Sequence, residues 1–360
     1  MNDSQPASAD ALAPAGITFP APGAARLVPT KKIKVNGTTG PGLVRYQTVQ
    51  HQTVMQSLAF DNAHNRVYIA QVMNGSTTNE LGHVTITELT WRTNQPTPGY
   101  VQTGHMYLHG FGHVVSIGVE PVGPDSYLWT EVDSVPIVDA KGNKSGRGVR
   151  ICRFKFEAFG PNDTPIPNNS PKLQKFTPVP GSIINTVNID PVYGRLVHRF
   201  ELDGKMRYRV HDLAKARQGI WDDYVADIQQ PSPTFAAKYG KPDFQGYAVA
   251  GSWLYLLYGN AYEHKQNTDN NDATDPVIVS PLNEGNTHLV SVNLLTGDID
   301  TTFHTKAGVT LTFREPEGLS IRVPDPTKPE EFQVAMGFAC GTSGARTVSI
   351  YYKSELAPPV

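Results

Sequence analysis

The chain has 360 residues and a net charge of −2, with 31 Lys+Arg against 33 Asp+Glu, so no electrostatic pull toward nucleic acid or an anionic membrane is expected. Its apolar fraction is 39% with no run of about 18 apolar residues, so no membrane-spanning helix is expected either. The 32 Gly and 29 Pro follow no collagen-like period and point instead to many short strands joined by tight turns.

Residues 1–35 form an Ala/Pro-rich leader, expected to be disordered, that lacks the basic and apolar regions of a signal peptide. Beyond it, the chain falls into five weakly similar units, spaced roughly 55 to 75 residues apart. Each opens on a short run with small residues: QSLAF (56–60), HVVSIGV (113–119), NTVNID (185–190), QGYAVA (245–250) and EGLSIRV (317–323). A strongly apolar run follows each: RVYIAQV, SYLWTEV, RLVHRF, WLYLLYG and FQVAMGF. A third run then alternates polar and apolar residues, as in HVTITEL and THLVSVNL, the pattern of a strand packed on one face. Only 212–224 could carry a helical turn or two.

The last unit ends at RTVSIYYK without an outer strand, while an unmatched strand, LVRYQTVQ (43–50), precedes the first. Pairing the two removes two sheet edges and closes a ring. The expected fold is therefore all-β: one five-bladed β-propeller over 36–360, closed by an N-terminal strand on the C-terminal blade.

In such a ring the first strands line the axis, and the loops entering them share a face with the ends of the second strands. Gln56, His109, His113, Gln245, Arg314, Glu315 and Glu317 sit at or before first runs; Gln71, Glu131, Asp133 and Arg199 end second runs. All are expected at one mouth, with rings such as Tyr258 beside them, a mixture suited to the hydroxyls and C–H faces of a sugar. Arg199 and Arg314 would pair a phosphodiester. In a catalytic use of the same mouth, Glu315 or Glu317 would be the acid or base, His113 its partner and Arg314 an oxyanion stabiliser. As structural alternatives, the carboxylates would pair with Arg314 or Arg199, or cap turns, and the rings would pack between blades. His109 and His113 lie in a turn-and-strand context that does not suit a metal, and no cofactor motif is present. NTDNNDATD (267–275) reads as a loop without the calcium-loop spacing, and the Asn-X-Ser/Thr sites at Asn36, Asn74, Asn143, Asn162 and Asn168 are expected in loops. Cys152 and Cys340 lie in apolar runs and read as buried thiols.

The segments QSLAFDNAHNRVYIAQV, MYLHGFGHVVSIGVEPVGPDSYLWTEVDS, RGVRICRFKF, FQGYAVAGSWLYLLYGNAY and KAGVTLTFREPEGLSI resemble the propeller shared by phage receptor-binding proteins and bacterial proteins labelled teichoic acid biosynthesis protein C. The resemblance implies a five-bladed propeller and recognition of a sugar-decorated wall polymer. Its motif residues fall on His109, His113, Glu120, Glu131, Arg314, Glu315 and Glu317, with a departure at Val114, where the family pattern has Gly. The stem and trimerisation segments of a tail protein are not expected here, which points away from a complete receptor-binding protein. The leading expectation is a propeller that binds a carbohydrate or glycopolymer in a cell-wall or extracellular setting; an enzyme at the same mouth, or a scaffold using the rim loops, are the alternatives.

Overall fold

The computed structural model describes residues 27–73, 82–94, 96, 98–138, 144–262 and 284–359. Residues 1–26, the segment 267–275 and the sites at Asn74 and Asn143 lie outside the described residues. Most of the described strands form five blade sheets around an axis, antiparallel except for the short Ile166–Pro167, which pairs parallel at the outer edge of the first; a sixth sheet has two short strands. Blade 1 runs outward through Met55–Asp61, Arg66–Val72, His83–Arg92 and Gly99–His109. Blade 2 comprises Gly118–Val122, Asp125–Val138, Lys144–Lys155 and the short Gln174–Phe176. Blade 3 comprises Ile183–Asp190, Arg195–Leu202, Lys205–Asp212 and Tyr224–Gln229, and blade 4 Asp243–Ala250, Trp253–Gly259, His288–Asn293 and Ile299–His304.

Blade 5 contributes only Glu315–Arg322, Gln333–Cys340 and Thr347–Lys353 from the C-terminal part of the chain. Its outer strand is Val44–Thr48, which pairs antiparallel with Thr347–Lys353. The ring is closed as expected, by the strand that the first unit left over.

Burial explains the runs. Alternate residues of a strand point to opposite faces of its sheet. In blade 4, Trp253, Tyr255 and Leu257 enter a cluster shared with blade 5, whereas Leu254, Leu256 and Tyr258 enter one shared with blade 3. Both faces of each second strand are therefore dry, and its sequence is apolar throughout. Among the described residues the apolar side chains form five clusters, one at each junction between neighbouring blades.

Three features differ from expectation. HVVSIGV is not all strand: residues 113–117 form a loop with Val114 at φ 51°, and the inner strand begins only at Gly118. The helical stretch at 212–224 is a single short helix, Leu213–Arg217, capped by the Asp212 side chain. The expected boundary at residue 36 also moves back, because residues 27–35 pack on the propeller. The Ser252 backbone N–H donates to the Thr30 hydroxyl at 3.0 Å, and the Trp253 indole N–H to the Thr30 carbonyl at 3.1 Å. Lys32–Ile33 pairs with Leu356–Ala357, and both Leu27 and Ile33 are buried.

We call the face carrying the loops that enter the first strands the upper face. On the lower face, two blades turn by the same device. The Asp61 carboxylate accepts from the Ala63 and His64 backbone N–H groups, and Asp190 accepts from Val192 and Tyr193. His64 extends this turn to blade 2, with Nδ1 2.7 Å from Asp61 and Nε2 2.9 Å from the Gly123 carbonyl. Both partners are acceptors, so both ring nitrogens donate and the imidazolium is favoured. The bond to Asp61 raises the His64 pKa above 6.5, against the opposing effect of burial. A base with a raised folded pKa stabilises fully below its unfolded value and loses that contribution as pH rises through the folded one. His64→Ala is therefore expected to lower Tm more at about pH 6 than at about pH 8.5. Equal losses at both pH values would show that the ring acts without its charge.

Candidate functional site

The inner strands carry a recurring irregularity. Blades 1, 3, 4 and 5 each hold one extra residue at the upper end of the inner strand, between Met55 and Ser57, Ile183 and Thr186, Phe244 and Gly246, and Pro316 and Leu319. Such a bulge breaks the two-residue alternation and redirects the side chains beside it. The residues there are Gln56, Ile184 and Asn185, Gln245, and Glu317 and Gly318.

Close backbone approach then sets which of them are neighbours. A methyl group on Gly246 would lie 2.8 Å from Gly318 Cα, and one on Gly318 would lie 2.8 Å from Ser57 Cα. The Ser57 hydroxyl in turn donates to the Val114 carbonyl of blade 2 at 2.6 Å. On the other side, the Asn188 amide of blade 3 donates to the Ser116 hydroxyl and the Tyr247 carbonyl. Blades 4, 5, 1 and 2 therefore touch in sequence at Gly246, Gly318, Ser57 and Val114. The residue before each contact is Gln245, Glu317, Gln56 and His113. By these contacts the four positions follow one another around the upper end of the axis, beside the small residues Ser57, Gly246 and Gly318.

Their polar groups are largely unspent. No hydrogen bond or ion pair of the Gln56 amide, the His113 ring or the Glu317 carboxyl is made within the described residues. Gln245 donates to the Gly259 carbonyl at 2.9 Å, which leaves its own oxygen open. Burial and the Arg147 charge push His113 down to about 3, so its imidazole is neutral and offers one donor and one acceptor. Burial raises the Glu317 pKa well above 4.5, and the Glu315 charge adds to that shift. The fifth position is occupied differently. Asn185 is saturated by Ser182, the Gly148 carbonyl and His198.

The other expected site residues are held by the protein itself. Gln71 donates to the His51 and Thr53 carbonyls at 2.8 and 2.7 Å and fixes the loop entering blade 1. Glu131 does the same for blade 2, accepting from Val114 N–H at 2.6 Å and from Gly148 N–H. Burial pushes its pKa up to about 7, while Arg147 and these N–H groups pull the other way. Arg314 is not a stabiliser at the mouth. It is fully buried, donating to the Ala307 and Thr305 carbonyls and the Thr287 hydroxyl at 2.6, 3.0 and 2.8 Å. Arg199 donates to Gln230 and stacks over Phe244 between blades 3 and 4, where Tyr258 also packs. Arg314 has no guanidinium nitrogen left for the expected pairing with a phosphodiester, and Arg199 has its Nε engaged within the blades. His109 ends the fourth strand of blade 1 and stacks on His83 at 3.7 Å, on the outer rim rather than the axis. Asp133 pairs with Arg150 and Lys175 on blade 2. Among the described residues no cluster of three or more His, Cys, Asp or Glu could hold a metal ion.

What sequence reading missed is the floor. Ser57, Gly246 and Gly318 are as decisive as the polar residues before them, and the signal was the repeated pair of a polar residue followed by a small one: Gln56-Ser57, Gln245-Gly246, Glu317-Gly318.

Comparison with known proteins agrees with this ring. Residues 54–352 match the phage 5-bladed beta propeller receptor binding platform domain. The chain belongs to that family. The chain is 24% identical over 318 residues to the "Putative major teichoic acid biosynthesis protein C" of Bacillus subtilis (strain 168), covering 86% of this chain and 62% of that protein. It therefore spans under two thirds of its curated relative. It also superposes on the tail fiber of Staphylococcus aureus phage P68 with a TM-score of 0.58 at 17% identity, covering 91% of this chain and 53% of the fiber. At that identity the likeness concerns the fold.

Proposed function

We propose that the upper mouth of this phage receptor-binding-type propeller binds a hydroxyl-rich unit of a carbohydrate or cell-wall glycopolymer. One observation supports the reading: Gln56, His113, Gln245 and Glu317, from four blades, each precede a residue in contact with the neighbouring blade, and the described residues leave most of their hydrogen-bonding capacity unused. Hydroxyl groups both donate and accept, which suits amides, a neutral imidazole and a carboxyl group together. The teichoic-acid name of the Bacillus relative and the receptor-binding description of the family support a wall polymer as the source of that unit. A catalytic use is less well supported, because the expected oxyanion stabiliser, Arg314, is buried and committed to the carbonyls of its own loop.

The test is binding to Gram-positive cell-wall fragments and to the glycopolymer released from them. Removing both amides in Gln56→Ala/Gln245→Ala is expected to weaken binding by about tenfold or more, at roughly 1 kcal/mol per hydrogen bond lost. Undiminished affinity in the double variant, or no binding by the unaltered protein, would refute the assignment.

A further inference from the structure

We infer that Glu317 reads the ligand in its neutral form, as a hydrogen-bond donor to an oxygen acceptor. This rests on the mouth being the binding site and adds how it selects. Glu317 is 5% exposed, and its carboxyl group has no hydrogen bond or ion pair among the described residues. An isolated buried carboxylate is costly, and the usual escape is protonation. The surroundings deepen that cost. Glu315, two residues away on the same strand, carries a second carboxyl group whose charge opposes ionisation of Glu317.

Among the described residues, the strands packed against Glu317–Gly318 bring no cation to this carboxyl group. Arg322 ends the same strand on the lower face, bonded to Gln333. Gln333–Cys340 brings only Cys340 as a titratable group. The inner strand of blade 4 brings Asp243, held by Asn260, and the buried Tyr247. Its second strand brings Tyr255 and Tyr258, and the inner strand of blade 1 brings Asp61 at its lower end. Arg314, shortly before it in the chain, is turned to the carbonyls of Ala307 and Thr305, while Arg346, just before the third strand of blade 5, lies over Phe313 and donates to the Gly341 carbonyl. A ligand that met a negative charge here would have to bring a cation. One that meets a neutral acid needs only a carbonyl, ether or hydroxyl oxygen, groups that an uncharged sugar unit supplies.

Two measurements on the intact chain test this. In protein labelled with 13C-glutamate, the Glu317 carboxyl carbon, assigned by its loss in Glu317→Gln, is expected at the neutral-acid position at pH 7. Affinity for the released wall glycopolymer is expected to be level near neutrality and then to fall by about tenfold per pH unit once the acid ionises. Glu317→Gln keeps a donor of the same shape, so its affinity is expected to stay within about threefold of the unaltered protein and to lose the alkaline fall. An ionised carbon signal at pH 7, loss of binding in Glu317→Gln, or affinity that rises with pH would each overturn the inference while leaving the mouth as the binding site. Failure of the unaltered protein to bind at any pH would overturn both.

Discussion

Gly318→Ala is expected to destabilise the protein by about 3–5 kcal/mol, more than any surface substitution, through backbone strain and overpacking. Gly318 has φ +79°, a region L side chains adopt at a cost of roughly 1–2 kcal/mol. The added methyl would also meet Ser57 Cα at 2.8 Å and the Leu58 backbone nitrogen at 3.1 Å. Both are main-chain atoms of the neighbouring blade, so no rotamer change relieves the contact. Gly181 supplies the control: its φ is +80°, yet a methyl there meets nothing within 4 Å. Denaturant unfolding of the two alanine variants separates the terms. Gly181→Ala is expected to show the conformational cost alone, and the excess in Gly318→Ala measures the contact between blades 5 and 1. Equal losses would mean that the blades do not meet at the axis.

Glu131→Ala is expected to cost about 3–5 kcal/mol, because it strands buried partners on both sides of the loop it holds. The Val114 and Gly148 backbone N–H groups lose their acceptor, and the nearby Arg147 charge loses the carboxylate that acts on it. Space around this residue is fitted to it: a methyl group on Gly148 would lie 2.5 Å from Glu131 Cβ. Since Val114 also receives the Ser57 hydroxyl, loosening residues 113–117 should disturb the floor of the mouth as well. Hydrogen exchange would read this directly, with faster exchange at Val114 and Gly148 and no change at Gly251 on the lower face. Exchange accelerated uniformly across the chain would indicate global destabilisation without a local latch.

The ring was legible in the sequence because its causes are repetitive. Five apolar runs, each dry on both faces, have the same physical origin, and the unmatched strand around Val44–Thr48 stood out because the last unit ended one strand short. The mouth was legible only in part. Gln56, His113, Gln245 and Glu317 were expected at the mouth from their position at the first runs, and the described residues leave most of their polar groups unused. Arg314, Arg199, Glu131 and Gln71 share that placement, but their side chains spend themselves on carbonyls, amides and rings of the protein's own loops. Spacing in sequence gives the end of a strand, not whether a donor is already satisfied. The bulges were invisible for a related reason: a single extra residue reverses the two-residue alternation without altering composition.

Binding at the upper mouth requires Gln56 and Gln245, 189 positions apart in the chain, to share one ligand across the axis. The side-chain amide signals of both, followed by 15N NMR as released wall glycopolymer is added, test that directly. The expected result is that the two shift together and saturate at the same concentration, while the buried Gln71 amide stays unmoved. Shifts confined to rim residues such as His109, or to the lower face around His64, would contradict it.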